Sequence, residues 1–356
     1  MKTKTIEELQ EIVRTHPRLK PFGGGSKTAL SAPGDGGTLE ISDLQGMLEY
    51  EPSEFTFTAL AGTRLDEVEH LLAEHGQYLP FDPPLKERGA TLGGTVASGL
   101  SGSGRYRYGG VRDFLLGVKF IDSAGDVARV GGKVVKNAAG FDISKLMVGS
   151  LGRYGAMVEL SFKVFPRPAA FTTLIAEYEA LEPALKTLIQ VSNSPLDVFA
   201  MDLEPGPEGV SLFVRIGGLP ESLPARVERL RGMIEQARVV DGDSESEMWA
   251  DVGEFRWLSE GHSLVKVPLT PKRTGDLEDA LAEKGATRRY ICGSNLAWIA
   301  WPGEMDSLDR ILTGLGLSGL VILGNSGWTR VGARTDNAFA RRVKQALDPI
   351  GRWVEA

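Results

Sequence analysis

The sequence predicts an α+β protein of two domains, and three observations predict it. Its 356 residues are more than a single core usually organises. Glycine-rich loops crowd residues 21–155, whereas beyond Pro168 strand-like and helix-like stretches alternate. Two βαβ-like passes in that later part fit helices packed on one face of a mainly antiparallel sheet, although no sequence repeat is clear enough to claim duplication. The division is expected at FPRPAA, 165–170, where Pro166 and Pro168 end one strand and stiffen the exit. That gives domains of 1–168 and 169–356.

At the N-terminus Ile6, Leu9, Ile12 and Val13 fall at helical spacing in a charged stretch, so no secretory signal is expected ahead of the fold. FTFTAL (55–60) alternates as a strand, and Gly62 and Thr63 then turn the chain. Thr63 as N-cap, with Asp66 three residues on, predicts a helix with Leu65, Val68, Leu71 and Leu72 on its apolar face and Gly76 at its end. LLGVKFIDSAGDVARV reads as a hairpin turning at Ser-Ala-Gly-Asp. In MVELSFKVF (157–165), Val158, Leu160, Phe162 and Val164 share one face of a strand. The later part reads as strand FTTLIAEYE, helix LEPALKTLIQVSN, strands DVFAMDL and GVSLFVRIGG, and helix PARVERLRGMIEQA. After a Trp-rich segment come strand SLVKVPLT, helix GDLEDALAEKG, strand NLAWIAW, helix MDSLDRILTGL, strand GLVILG and a last helix NAFARRVKQAL. All six tryptophans fall in this part, where core packing or a partner surface explains them equally.

Composition narrows the function. With 42% hydrophobic and 24% charged residues and no long apolar run, a cytoplasmic globular protein is expected, without direct membrane insertion; membrane contact through partners stays open. A net charge of -7 without a basic block argues against nucleic acid. The single cysteine, Cys292, excludes an internal disulfide and a cysteine-held cluster, and reads as a buried small hydrophobe. The four histidines, His16, His70, His75 and His262, never take metal-binding spacing, so no metal is expected.

Four segments mix glycine with Ser and Thr: PFGGGSKTAL (21–30), ATLGGTVASGLSGSGRYRYGG (90–110), KNAAGFDISKL (136–146) and GSLGRYGAMVEL (149–160). Glycine lets backbone N–H groups approach an anion closely, and hydroxyls add donors around phosphate oxygens. Gly23-Gly24-Gly25-Ser26 lacks Gly-x-Gly-x-x-Gly spacing, and no glycine directly precedes Lys27, so the common nucleotide motifs fail.

These segments, with FDPPLKERGATLGG, YGGVRDFLLGVKFIDSAGD and GSLGRYGAMVELSFKVFPRP, resemble in order the PCMH-type FAD-binding domain of the vanillyl-alcohol-oxidase superfamily over about residues 20–168. KNAAGFD and the short second domain look most like the smaller FAD-binding subunit of bacterial glycolate oxidase. The resemblance implies two α/β subdomains holding extended FAD, plus a C-terminal α+β domain with a ferredoxin-like sheet and helices. Carried over by position, Gly23, Gly24, Gly25, Ser26 and Lys27 would form the first pyrophosphate loop. Pro83, Thr91, Gly93, Gly94, Ser98 and Gly99 would line the other side and the inner ring edge. Asp142, beyond Asn137 and Gly140, falls in a segment expected near the flavin, with a helix N-cap ahead of ISKLMV as the equal alternative. Gly149, Gly155 and the backbone around Met157 and Val158 would meet the adenosine half. The Gly-Ser part of 100–110 reads as a mobile loop over the flavin edge.

The first loop has no histidine and the only cysteine lies far downstream, so the FAD is expected to be noncovalent. The resemblance implies an FAD-binding subunit of a glycolate oxidase complex, with a larger flavoprotein subunit, an iron–sulfur subunit and a small 2-hydroxy acid as partners and substrate. The alternative is a self-sufficient FAD-dependent dehydrogenase of D-lactate or glycolate. Catalytic members commonly carry histidine pairs in the C-terminal domain; here only His262 stands there. A carboxylate clamp has candidates in Arg105, Arg107, Arg112, Arg215, Arg256, His262 and Arg330, none singled out as catalytic.

Overall fold

The computed structural model describes residues 1–32, 35–132, 143–334 and 337–354. Helices and sheets divide between two compact units. The first holds 1–101, 109–167 and the C-terminal stretch; the second holds 102–108 and 168–334.

In the first unit a five-stranded antiparallel sheet runs in the order Met47–Glu51, Thr56–Leu60, Ala156–Lys163, Leu115–Ile121, Val127–Gly131. The hairpin at 122–126 forms as its turn residues require, with Ile121 facing Val127. Val158, Leu160, Phe162 and Val164 are fully buried, as alternation demands. A small parallel pair, Leu19–Phe22 with Gly37–Glu40, carries the first glycine loop at its end. The helix Ile6–Thr15 is capped by the Thr5 hydroxyl, which accepts from Glu8 N, and buries Leu9 and Val13.

Two expectations change here. The helix after FTFTAL spans Leu65–Glu74 with Arg64, not Thr63, at its N-cap. The Thr63 hydroxyl is spent on Gly46, accepting from its N–H at 2.9 Å. The stretch 337–354, read from sequence as part of the later region, groups with the first unit. Leu19 N donates to Arg352 O at 2.8 Å and Val354 N to Leu19 O at 2.9 Å. Arg352 donates to the carbonyls of Val13 and His16, closing the end of the first helix, and to Ser123 O at 2.7 Å. Trp353 is therefore a core residue of the first unit, packed with Leu9, Val13, Leu19 and Leu39.

The second unit is built on a nine-stranded sheet, every pairing in it antiparallel. Strand Ala170–Tyr178, helix Leu181–Ser192, strands Val198–Gly206 and Gly209–Gly218, helix Leu223–Arg231 and strand Arg238–Asp241 form one βαββαβ pass. Ser263–Pro268, Thr274–Leu281, Thr287–Ile291, Leu296–Trp301, Met305–Gly314 and Ser318–Leu323 repeat that succession. Each pass places its fourth strand beside its first, then its third and its second. The two second strands pair with each other at Leu203 and Tyr290. This is a structural repeat that the sequence does not display, because the shared pattern lies in strand order and not in residue identity. Helix Gly242–Glu254, hidden in the Trp-rich segment, joins the passes and packs Trp249 on Ile175, Ala200 and Phe213. Helices therefore cover both faces, since Tyr290, pointing the other way, donates to Glu278 of helix Thr274–Leu281 at 2.7 Å.

The stretch 102–108 is not a mobile loop. Its helical turn Arg105–Tyr108 packs in the second unit. The buried Ser103 hydroxyl donates to Asp202 Oδ2 at 2.6 Å, and Arg107 pairs with Asp197 at 2.8 Å while stacking on Phe199. Asp202 is itself fully buried against Arg289, and burial raises its pKa.

Candidate functional site

Three segments of the first unit, within 20–31, 91–98 and 151–157, together with Ile41 and Ala61, line a cleft whose empty space, open solvent at its mouth included, is about 780 Å³. Strand Leu19–Phe22 delivers the chain into Gly23, Gly24, Gly25, Ser26 and Lys27, all of which line it. The loop lies tightly on the turn before helix Leu92–Ser98: a Cβ at Gly24 would stand 1.8 Å from Gly89 O, and one at Gly23 2.7 Å from Thr91 Oγ1. Gly25 sits at φ +69°, where a side chain is strained. The backbone N–H groups of Gly23, Gly24, Gly25 and Ser26 find no hydrogen-bond acceptor among the described residues.

Thr91, Gly93, Gly94 and Ser98 line the facing wall. Thr91 is the N-cap of its helix, its hydroxyl accepting from Gly94 N at 3.2 Å. Gly93 N is committed to Ala61 O at 2.8 Å, so this wall supports the cleft more than it offers donors. Gly155 and Met157 complete the lining.

Other expected positions do not line the cleft. Gly99 closes the helix at φ +63° and meets Gly149, where a Cβ at Gly99 would be 3.2 Å from the Gly149 backbone; neither lines the cleft. Pro83 is buried outside the lining, and Val158 points into the core by strand alternation with Met157. Asp142, with Asn137 and Gly140, lies outside the described residues. Lining residues absent from the sequence reading include Lys20, Pro21, Phe22, Ala97, Leu151 and Gly152. Lys20 was findable, because it stands two positions before Phe22 on the strand that feeds the loop. Leu151 and Gly152 reach the cleft through long-range packing, Gly152 folding against Pro21.

The electrostatics favour an anion. Lys20 and Lys27 are 8% and 5% exposed, and no carboxylate lines the cleft among the described residues. Lys20 Nζ donates to Ala32 O at 2.6 Å, Lys27 Nζ to Ser26 Oγ at 3.1 Å, and burial lowers the Lys20 pKa. Two buried ammonium groups beside four unused amide donors fit a pyrophosphate, which supplies both the countercharge and the acceptors.

The arginine candidates sort by partner. Arg215 is held bidentately by the buried Glu245 at 2.7 and 2.9 Å, Arg107 by Asp197 and Arg256 by Asp251, so these three are structural pairs. Arg112 and Arg330 are exposed. Arg105 is half-buried, and its guanidinium has no hydrogen bond or ion pair among the described residues. His262 Nδ1 is buried without a partner among them. Among the described residues no metal-holding group of His, Cys, Asp and Glu occurs, and no helix is long and apolar enough to cross a membrane.

A family model described as FAD binding domain matches residues 1–131. The chain is 32% identical over 350 residues to the glycolate oxidase subunit GlcE of Escherichia coli (strain K12), a match spanning 97% of this chain and 94% of that one. Glycolate oxidase subunit GlcD of Bacillus subtilis (strain 168) is 31% identical, over 53% of this chain and 41% of GlcD. A D-lactate dehydrogenase of Anaerostipes hadrus is 31% identical, over 52% of this chain and 40% of that enzyme. Among solved structures, alkyldihydroxyacetonephosphate synthase superposes with a TM-score of 0.72 across 99% of this chain and 74% of its own, at 16% identity, a likeness of fold alone. The fold is thus a PCMH-type FAD-binding domain with a second α+β domain, and the chain belongs to the glycolate oxidase subunit GlcE family of FAD-binding oxidoreductases.

Proposed function

We propose that this chain is the FAD-binding subunit of a cytoplasmic glycolate oxidase complex that oxidises glycolate to glyoxylate. Similarity to GlcE along almost the whole of both chains carries the reading, whereas GlcD and the D-lactate dehydrogenase are matched over about two fifths of their lengths. The partners in this reading are a larger flavoprotein subunit and an iron–sulfur subunit, through which the complex reaches the membrane. FAD supplies a two-electron acceptor for the C2 hydride of the 2-hydroxy acid. The amides of Gly23 to Ser26 and the ammonium groups of Lys20 and Lys27 would hold its pyrophosphate, with Thr91, Gly93, Gly94 and Ser98 shaping the opposite wall. Gly99 and Gly149 support that wall from behind, and Gly155 and Met157 bound the adenosine end.

Affinity purification of the tagged chain from its own cells is expected to bring down a larger flavoprotein and a cysteine-rich subunit, with glycolate oxidation in the assembled fraction. The purified chain alone, turning over glycolate at an ordinary enzymatic rate of about 10 s⁻¹, would sink the supporting-subunit reading. Acid precipitation is expected to release the yellow chromophore into the supernatant; a pellet that stays yellow means a covalent bond. Lys20→Met is expected to weaken FAD binding roughly 10- to 100-fold, the worth of one charge-assisted hydrogen bond, while riboflavin, which lacks phosphate, binds as before. Titration calorimetry with both ligands checks this, and an equal loss for riboflavin would mean that Lys20 only supports the fold.

A further inference from the structure

After the glycine loop and the helix capped by Thr91, the third wall of the cleft is a strained loop. Leu151, Gly152 and Gly155 line the cleft, and Leu151 sits at φ +52° with Gly152 at +81° directly after it. A non-glycine residue in the left-handed region persists only where its surroundings hold it there. Two holds come from the helix Leu92–Ser98, whose carbonyls at Val96 and Ala97 accept from Gly149 N and Leu151 N, each at 2.9 Å. Pro21 braces the loop from another side, since a Cβ at Gly152 would stand 3.0 Å from its Cδ.

A further hold comes from the far end of the chain. Lys344, on the helix Ala338–Leu347, donates to Arg153 O at 2.9 Å across 191 positions of sequence. Its ammonium also donates to Asp348 Oδ2 and to Trp353 O, both at 2.6 Å, so all three of its N–H groups are used. The Asp348 carboxylate is wholly buried and accepts from Arg352 N and Trp353 N as well, which leaves the ammonium no freedom to follow a moving loop. No residue of the helix is buried outright, so packing is not its main contribution to the first unit. Inside the loop, Arg153 N and Nε both donate to Ser150 O, at 3.1 and 2.9 Å. Fixing Arg153 therefore fixes the turn through Leu151 and Gly152.

We propose that Lys344 is a positioning residue of the cofactor cleft: by anchoring Arg153 O it keeps Leu151 and Gly152 in the strained shape that forms the third wall. Without the anchor the loop relaxes, and a ligand that needs this wall binds only the fraction of molecules that still present it. That the wall meets the adenosine half of FAD rests on the function proposed above; the hold on the loop does not.

The test uses the full apo chain and three probes: FAD, ADP and riboflavin. Lys344→Met is expected to weaken FAD and ADP alike by roughly 10- to 100-fold, the worth of one hydrogen bond to a charged group, and to leave riboflavin unchanged. Amide exchange read by mass spectrometry should quicken across 149–155 and slow again when FAD is added. Leu72→Ala, a buried truncation on helix Leu65–Glu74 of the same unit, controls for lost stability: it should lower the melting temperature yet bind all three probes as wild type does. Lys344→Met leaves a buried carboxylate unpaired, so the double variant with Asp348→Asn removes that charge while still freeing Arg153 O, and it decides the matter should the single variant fail to fold. FAD bound at wild-type strength, a loss no greater than that of Leu72→Ala, or unchanged exchange across 149–155 overturns the proposal. An equal loss for riboflavin overturns it too, because Lys344 would then support the unit as a whole. Loss for riboflavin with ADP spared keeps the hold and reverses the end of FAD assigned to this wall. If exchange quickens as expected but even the wild type binds no FAD, the hold stands and the proposed function falls.

Discussion

Gly24→Ala is expected to weaken FAD binding by roughly 10² to 10⁴-fold while the chain stays folded. The new Cβ would stand 1.8 Å from Gly89 O and 3.0 Å from Gly89 C, both backbone atoms that cannot rotate away. Relief requires the loop 23–26 to lift from the turn at 89–91, carrying its four unused amides out of place. Loss of two charge-assisted hydrogen bonds, about 1.5–3 kcal/mol each, gives that range. The fold should survive, because the loop contributes little to the core and sits at the cleft. Gly314→Ala is the control, since a Cβ there meets nothing within 4 Å. Fluorescence titration of the apo chain with FAD, beside circular dichroism, reads the two effects separately. Full-strength FAD binding by Gly24→Ala would mean that the loop holds no part of the cofactor.

The cleft was legible in the sequence to the extent that its chemistry is local. Gly23 to Lys27 lie consecutively, and the reasons for glycine and serine there act over a few residues. Gly76 closing the helix Leu65–Glu74 is equally local. What escaped depends on partners distant in sequence. Thr63 has the right identity and spacing for an N-cap, yet Gly46 claims its hydroxyl. SGSGR reads as a flexible run until Asp202, 99 positions from Ser103, is known to hold it. The repeated βαββαβ order was invisible because strand order is a property of pairing. Trp353 looked like one more tryptophan of the later region, since nothing near it announces that its partners are Leu9, Val13 and Leu19.

Trp353→Ala should therefore destabilise the first unit, not the second, by about 3–5 kcal/mol. The indole is 1% exposed and packs among Leu9, Val13, Leu19 and Leu39, so its removal leaves a cavity bounded by the first helix and the strand that carries Lys20. The neighbouring clasp cannot compensate. Arg352 N and Trp353 N both donate to Asp348 at 2.8 Å, which fixes the backbone in place and prevents the segment from collapsing into the void. For a unit of this size the melting temperature should fall by roughly 6–20 °C. Trp353→Phe, which restores most of the volume, should lose far less, about 1.5 kcal/mol or under. Calorimetry can also separate packing from cofactor effects: excess FAD adds the same binding term to any variant that still folds and binds as wild type. If packing alone is at fault, FAD should raise the melting temperatures of Trp353→Ala and wild type by similar amounts. A smaller rise for Trp353→Ala would show that the core under Leu19 also positions the glycine loop, and an unchanged melting temperature would mean that the C-terminal segment is not part of the cooperative unit.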